Sequence, residues 1–226
     1  MLSSLDFLRE ITTLSVAVRM IAAVLCGGAI GIEREHKRRP AGFRTHILIC
    51  LGAAMTTMTS QFLYLNLGLY TDIARLGAQV IAGIGFIGAG TIIVTKRRQV
   101  KGLTTAAGMW ACAILGLAIG AGYFEAGISA TVLILIAEIF FAKFEYWVLA
   151  NSKNLNIYVE YEASEILDDV IRSIKTNGVV LLDLEITKSG NNSCAILQLQ
   201  LPKKVSHDKI MTSISSTEGI VSVEEL

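Results

Sequence analysis

The chain has 226 residues, 53% of them hydrophobic, with 20 Lys/Arg against 19 Asp/Glu and a formal net charge of +1. Soluble domains run at about 45–50% apolar, and the mean hydropathy here is +0.57, so an ordinary soluble globule is excluded. The balanced charge gives no electrostatic footprint for nucleic acid, and no GxxxxGK[ST] motif is present to cradle a nucleotide phosphate.

Residues 1–13 (MLSSLDFLREITT) have no basic leader and no cleavage site. They are expected as a short amphipathic lead-in at the outer surface rather than a signal peptide. From residue 14 to 149 the sequence is a series of long apolar runs. In hydrocarbon every backbone N–H and C=O must be bonded inside the protein, which makes such runs helices, and about 20 residues are needed to cross about 30 Å. The runs predict about five spans, at 14–32, 45–65, 73–94, 103–121 and 128–148. The loop at 33–44 holds five Lys/Arg and the loop at 96–102 holds four, whereas 66–72 and 122–127 hold none. The positive-inside rule then puts both basic loops in the cytoplasm, the N-terminus outside and residues 150–226 inside. The four cysteines, Cys26, Cys50, Cys112 and Cys194, form no CxxC pattern and read as small buried apolar residues.

The two basic loops also read alike. Lys37-Arg38-Arg39-Pro40-Ala41-Gly42-Phe43-Arg44-Thr45 aligns with Lys96-Arg97-Arg98-Gln99-Val100-Lys101-Gly102-Leu103-Thr104-Thr105 after one insertion, and each follows a glycine-rich span end. Two hairpins of the same sense, 14–65 and 73–121, are therefore expected as a parallel repeat about the membrane normal. Gly27 and Gly31 form a GxxxG, and Gly83, Gly85, Gly88 and Gly90 line the third span. They are expected as packing glycines, because close backbone approach replaces the hydrophobic drive that lipid does not supply.

Arg19, Arg75, Gln79 and Glu138 fall inside the spans. Arg19 and Arg75 lie near outer ends and are expected to snorkel. Glu138, near the midplane, needs a partner, a proton or water, and Gln79 is a candidate neighbour. At the inner face Thr45 is expected to cap the second span, and Glu33 is expected to pair with Arg44 across the first hairpin. Glu33 and Glu35 also make Mg2+ the ion to weigh, ranked behind that salt bridge. No catalytic constellation and no cofactor site emerges.

The tail switches period. Alternation at Leu155, Ile157, Val159 and Tyr161 predicts a strand, and helical spacing at Ile166, Leu167, Val170, Ile171 and Ile174 predicts a helix closed by Asn177-Gly178. Strands follow at 182–186 and 197–201, a helix near 205–214 and a strand at 220–223. The order βαββαβ is that of a ferredoxin-like, ACT-like domain. The expected organisation is thus an α-helical membrane domain at 1–149 and a cytoplasmic α+β domain at 150–226, whose modest core would gain from a homodimer.

Three ordered motifs carry a family resemblance. Gly31-Ile32-Glu33-Arg34-Glu35 leads to Ala41-Gly42-Phe43-Arg44-Thr45-His46. Arg75 then precedes Ala78-Gln79-Val80-Ile81-Ala82-Gly83-Ile84-Gly85-Phe86-Ile87-Gly88-Ala89-Gly90, and Lys101-Gly102-Leu103-Thr104-Thr105-Ala106-Ala107 follows. Over about residues 14–148 the chain resembles the MgtC/SapB family. The resemblance implies a bacterial inner-membrane protein tied to magnesium limitation and, in pathogens, to virulence and survival inside macrophages. It implies functional positions at Glu33, Arg44, Thr45, Gln79, Gly85, Gly88, Gly90, Gly102, Thr104 and Thr105. It also implies a non-enzymatic regulator acting on membrane partners such as the F-type ATP synthase. The alternative is an ion transporter for Mg2+ or another cation, resting on the repeat, the glycines and Glu138.

Overall fold

The computed structural model describes residues 7–69, 72–95, 99–150, 154–189, 192–202 and 206–225. Cα proximity divides the chain into two compact units, Met1–Val94 with Val100–Phe144, and Glu145–Leu226 with Thr95–Gln99.

The first unit opens with α1 (Thr13–His36), which starts where Thr12 and Ser15 cap each other. The Ser15 N–H donates to Thr12 Oγ1 (3.2 Å) and the Thr12 N–H donates to Ser15 Oγ (3.0 Å), a reciprocal box that satisfies two end donors. Helix α1 stops before Arg38, which has φ of 52°, and Pro40 cannot continue it. After it come α2 (Phe43–Leu65) and α3 (Arg75–Ala89), then the short strands β1 (Ile93–Val94) and β2 (Val100–Lys101). The apolar run resumes with α4 (Leu103–Gly120) and α5 (Phe124–Ile136), a π-helical turn at Ala137–Phe141, and α6 (Ala142–Ala150).

Four helical segments among the described residues are long and apolar enough to cross a membrane: Thr13–His36, Phe43–Leu65, Leu103–Gly120 and Phe124–Phe144. The third expected span is different. Helix α3 has only 15 residues, about 22 Å at 1.5 Å per residue, and ends at Ala89 rather than 94. Gly88-Ala89-Gly90 gives way to Thr91-Ile92-Ile93-Val94-Thr95, and β-branched residues favour extended backbone. Ile93 pairs with Lys101 and Val94 with Val100. The two basic connectors therefore differ in build, a tight turn after α1 and a hairpin after α3. Lys96, Arg97 and Arg98, on which part of the expected repeat rests, lie outside the described residues.

Helix α2 is the centre of this unit, with α1 and α4 seated on it through two lines of small residues. A methyl added at Gly27 would lie 2.7 Å from the His46 carbonyl oxygen, and one at Gly31 would lie 2.7 Å from Phe43 Cα. On the α4 side, a methyl at Gly116 would overlap the Cys50 carbonyl and one at Gly120 the Ala54 carbonyl. Gly116-xxx-Gly120 was not singled out in the sequence because it sits inside an otherwise uniform apolar run. A methyl at Gly88 would lie at ordinary contact distance from Ala106 (3.4 Å to its Cβ), and one at Gly90 would meet only the Ile87 and Phe86 carbonyls of its own helix. Gly83 and Gly85 have no atom within 4 Å, so their expected packing role is not met inside this chain.

The second unit contains β3 (Asn154–Tyr161), α7 (Ser164–Thr176), β4 (Val180–Ser189), β5 (Asn192–Gln200), α8 (His207–Ser215) and β6 (Ile220–Glu225). The sheet order is β4-β5-β3-β6, and every pairing is antiparallel. Helices α7 and α8 supply Val170, Ile174, Ile210 and Ile214 to a core with Leu155, Ile157, Leu197 and Leu199. The Asn177-Gly178 step ends α7, with Gly178 at φ of +70° and its N–H donating to the Lys175 carbonyl (3.0 Å).

The seams predict a contrast. Gly27→Val should destabilise the purified protein by about 1–3 kcal/mol or more, as overpacking does. Gly85→Ala should be neutral or stabilising by up to about 1 kcal/mol, from helix propensity. Unfolding in mild detergent, followed by tryptophan fluorescence, measures both.

Candidate functional site

Charge inside a membrane bundle is costly unless it is paired there, so the buried charges mark the site. The last turns of α1 place Glu33, Arg34 and Lys37 at successive helical positions. Arg34 is 3% exposed, and its Nη1 donates to Glu138 Oε2. Lys37 Nζ donates to the Glu138 main-chain oxygen and lies 2.6 Å from Glu33 Oε1. Glu138 belongs to the π-helical turn, a local widening that recurs at functional sites.

Opposite this cluster stands His46, in the first turn of α2 and 1% exposed. Its Nδ1 is 2.9 Å from the Gly42 carbonyl. A carbonyl only accepts, so Nδ1 carries the hydrogen and Nε2 of the neutral ring presents a lone pair. That Nε2 is buried without a hydrogen-bond partner, as are both carboxylate oxygens of Glu33. For Glu33 Oε1, the Lys37 contact is an ion pair by distance rather than an aligned hydrogen bond. Gly108 of α4 keeps a space at this point: a methyl there would be 3.7 Å from Glu138 Oε1 and 4.0 Å from His46 Nε2. Thr105, one turn earlier on α4, is buried.

Several expectations are corrected here. Glu33 pairs with Lys37, not Arg44, because the i,i+4 spacing brings the ammonium to it while Arg44 is exposed. The acid that closes the first hairpin is Glu35, whose Oε2 accepts the Phe43 N–H at 2.7 Å. Gly42 occupies the cap position of α2, so Thr45 does not cap it. The anion at that helix N-terminus is thus a side chain of the neighbouring helix. Gln79 is exposed on α3 and is not the partner of Glu138, and Thr104 is exposed as well. Gly102, at φ of +97°, precedes α4 where a side chain would strike the Thr91 carbonyl. Among the described residues, no group of three or more His, Cys, Asp or Glu is arranged to hold a metal ion.

Arg19 does not snorkel. It is fully buried near the opposite end of α1. Its Nε and Nη2 donate to the Leu8 carbonyl (3.2 and 2.9 Å), Nη2 also donates to the Arg9 carbonyl (2.7 Å), and Nη1 donates to Gln61 Oε1 and the Gly120 carbonyl (2.8 Å each). Gln61 in turn donates to the Ala121 carbonyl (3.2 Å). One guanidinium fork thereby joins the N-terminal segment, α1, α2 and the turn after α4.

Removing one partner of a buried pair strands the other charge, at a cost of about 3–5 kcal/mol. Arg34→Ala and Glu138→Gln should each destabilise to that order, and the double variant by less than their sum, with coupling of about 1–3 kcal/mol. Arg44→Ala should stay within about 0.5 kcal/mol of the parent. A double-mutant cycle in detergent, with additivity for Arg34 and Glu138, would refute the pairing.

A family model described as the MgtC family matches residues 20–147, which holds every residue of this site. The chain is 41% identical over 135 residues to "Putative magnesium transporter YhiD" of Escherichia coli K12, covering 57% of this chain and 61% of that protein. It is 29% identical over 224 residues to Protein SapB of Bacillus subtilis, covering 92% and 94%. It is 38% identical over 122 residues to Protein MgtC of Salmonella typhimurium 14028s, covering 54% and 50%. The matches to YhiD and MgtC thus span only about half to three-fifths of those proteins. With its apolar helices and its matched segment coinciding, the chain belongs to the MgtC/SapB family of bacterial membrane proteins.

Proposed function

We propose that this protein is a non-enzymatic regulator of the bacterial inner membrane, acting under magnesium limitation through contact with membrane partners such as the F-type ATP synthase. The names of its relatives support the link to magnesium. The observation that carries the partner reading is the outward side of α3. Gln79 is exposed there, with Arg75 one turn before it and Gly83 one turn after it on the same side. Ala78, Ala82, Gly85 and Ala89 form an adjoining small-residue strip, also exposed. An amide facing hydrocarbon is costly without a hydrogen-bond partner, and small residues let a second helix approach closely. A transmembrane helix carrying its own polar side chain at the level of Gln79 satisfies both conditions.

The same reading sets the N-terminus outside and the second unit in the cytoplasm, supported by the lysines and arginines of the two connectors. It takes the second unit as a ferredoxin-like, ACT-like interaction domain, supported by the βαββαβ order and the β4-β5-β3-β6 sheet. It takes the α1–α2 and α3–α4 hairpins as a parallel repeat, supported by their shared Gly-apolar-x-Thr residues. The protein acts as a homodimer in this reading, since its second unit is small.

A cation transporter is the second reading, favoured by the buried acceptors of Glu33 and His46. A photo-crosslinking residue at position 79, activated in native membranes, separates the readings. The regulator reading expects an adduct with a different membrane protein. Adducts with lipid alone, together with Mg2+, H+ or K+ flux in proteoliposomes of the purified chain, would replace it with the transporter reading. Adducts only between two copies would make α3 the dimer interface and remove the partner reading from it.

A further inference from the structure

We propose that His46 and Glu138 form a binding site for a single proton inside the helix bundle, with the space beside Gly108 as the place where the proton is shared. The proposal stands on the geometry of the first unit and does not rest on the partner reading of α3.

The acceptors come first. His46 Nδ1 is committed to the Gly42 carbonyl, so Nε2 is a bare lone pair, and it is buried with no partner. A buried acceptor left unmatched is costly, so something that donates belongs there. The two oxygens of Glu138 face different groups: Oε2 takes Arg34, and Oε1 borders the space beside Gly108 that His46 Nε2 also borders. Glu33 belongs to the same cluster but is paired with Lys37. Two acceptors, His46 Nε2 and Glu138 Oε1, thus border the space beside Gly108.

The charges facing His46 can be named element by element. Helix α1 presents Glu33 and Arg34, and the π turn presents Glu138. Lys37 reaches the same cluster through Glu33 and the Glu138 main-chain oxygen. From α4 come Gly108 and Cys112, whose thiol donates to the His46 carbonyl (3.4 Å). Helix α2 supplies the Gly42 carbonyl that holds the ring. Glu33 and Glu138 against Arg34 and Lys37 balance to zero, so an added proton is not repelled by a net positive cluster. A metal ion would have to sit against the Arg34 guanidinium where the described residues offer no group of three or more metal ligands, whereas a proton needs only the lone pair.

In the binding step a proton passes from water to Nε2 and forms the new N–H bond. No protein bond breaks, Nδ1–H stays on Gly42, and the imidazolium donates towards Glu138 Oε1. Glu138 is then shared between His46 and Arg34. Because Arg34–Glu138 joins α1 to the π turn, proton occupancy is coupled to how tightly these segments are held.

The test uses the full-length protein in lipid nanodiscs with 15N-labelled histidine. Three histidines are present, His36, His46 and His207, and H46Q assigns the resonance. His46 should show the Nδ1–H tautomer at high pH and convert to imidazolium in a single titration step as the pH falls. E138Q should lower its proton affinity about tenfold or more, one pKa unit or above. G108A, whose methyl fits at ordinary contact distance, should also lower it by filling the shared space, and decides the matter if E138Q does not fold. A His46 signal that keeps one tautomer throughout, or a midpoint unmoved by both E138Q and G108A, overturns the proposal.

Discussion

A guanidinium cannot be left bare in hydrocarbon, and α1 carries two that are almost fully buried. Arg19 meets main-chain carbonyls and Gln61, while Arg34 meets a carboxylate. They lie 15 residues apart, about 22 Å along the helix. The rest of the first unit arranges itself to serve them. The N-terminal segment folds back so that the Leu8 and Arg9 carbonyls point at Arg19, and the last residue of α4, Gly120, offers its carbonyl to the same group. At the other end of α1, the π turn that follows α5 brings Glu138 to Arg34. The helix pairing that follows is fixed at both ends by hydrogen bonds and filled between them by small residues.

The filling explains why α2 lies at the centre. Without a hydrophobic drive between helices, association depends on dispersion, which is lost within a fraction of an ångström of separation. Gly27 and Gly31 on one side and Gly116 and Gly120 on the other bring two backbones against α2. Ala53, Ala54 and Cys50, all buried, are small for the same reason. This close approach carries the His46 ring into the interior beside α4, and it leaves no room for larger side chains to satisfy Nε2.

The hydrophobic runs made most of this architecture legible before the structure. They gave four spans to within a few residues at most ends, because length and apolarity are set directly by bilayer thickness. The alternations in the tail gave each strand and helix of the second unit for an equally direct reason, the change of period. The third span misled because Thr91–Thr95 is as apolar as a helix but β-branched, and hydropathy does not distinguish the two. Arg19 misled because its position near a span end suits snorkelling, whereas its carbonyl partners come from residues as far away as Gly120. Glu33 was expected to pair across the hairpin, but Lys37 at i+4 on its own helix is nearer than Arg44. His46 was quoted among the motifs and given no role, since no spacing rule reveals that a ring nitrogen will be left without a partner.

Two kinds of polar residue occur within the membrane part. Glu33, Arg34, Lys37, His46 and Glu138 lie in one cluster and find their neighbours inside the chain. Gln79 and Arg75 face outward, and their surroundings come from whatever lies beside α3. A glycine strip next to an amide is a poor lipid surface, since it offers few atoms to the acyl chains and leaves the amide unmatched. Within the bundle Gly27 and Gly31 of α1 and Gly116 and Gly120 of α4 are already occupied by α2, and Gly88 of α3 lies against Ala106 on α4. Among the described residues of the first unit, helix α3 thus has one side packed inside and another without a neighbour, which is the asymmetry that a docking helix requires. Its 15 residues are consistent with that role, because a helix too short to match the bilayer by itself gains from a longer neighbour that carries the mismatch.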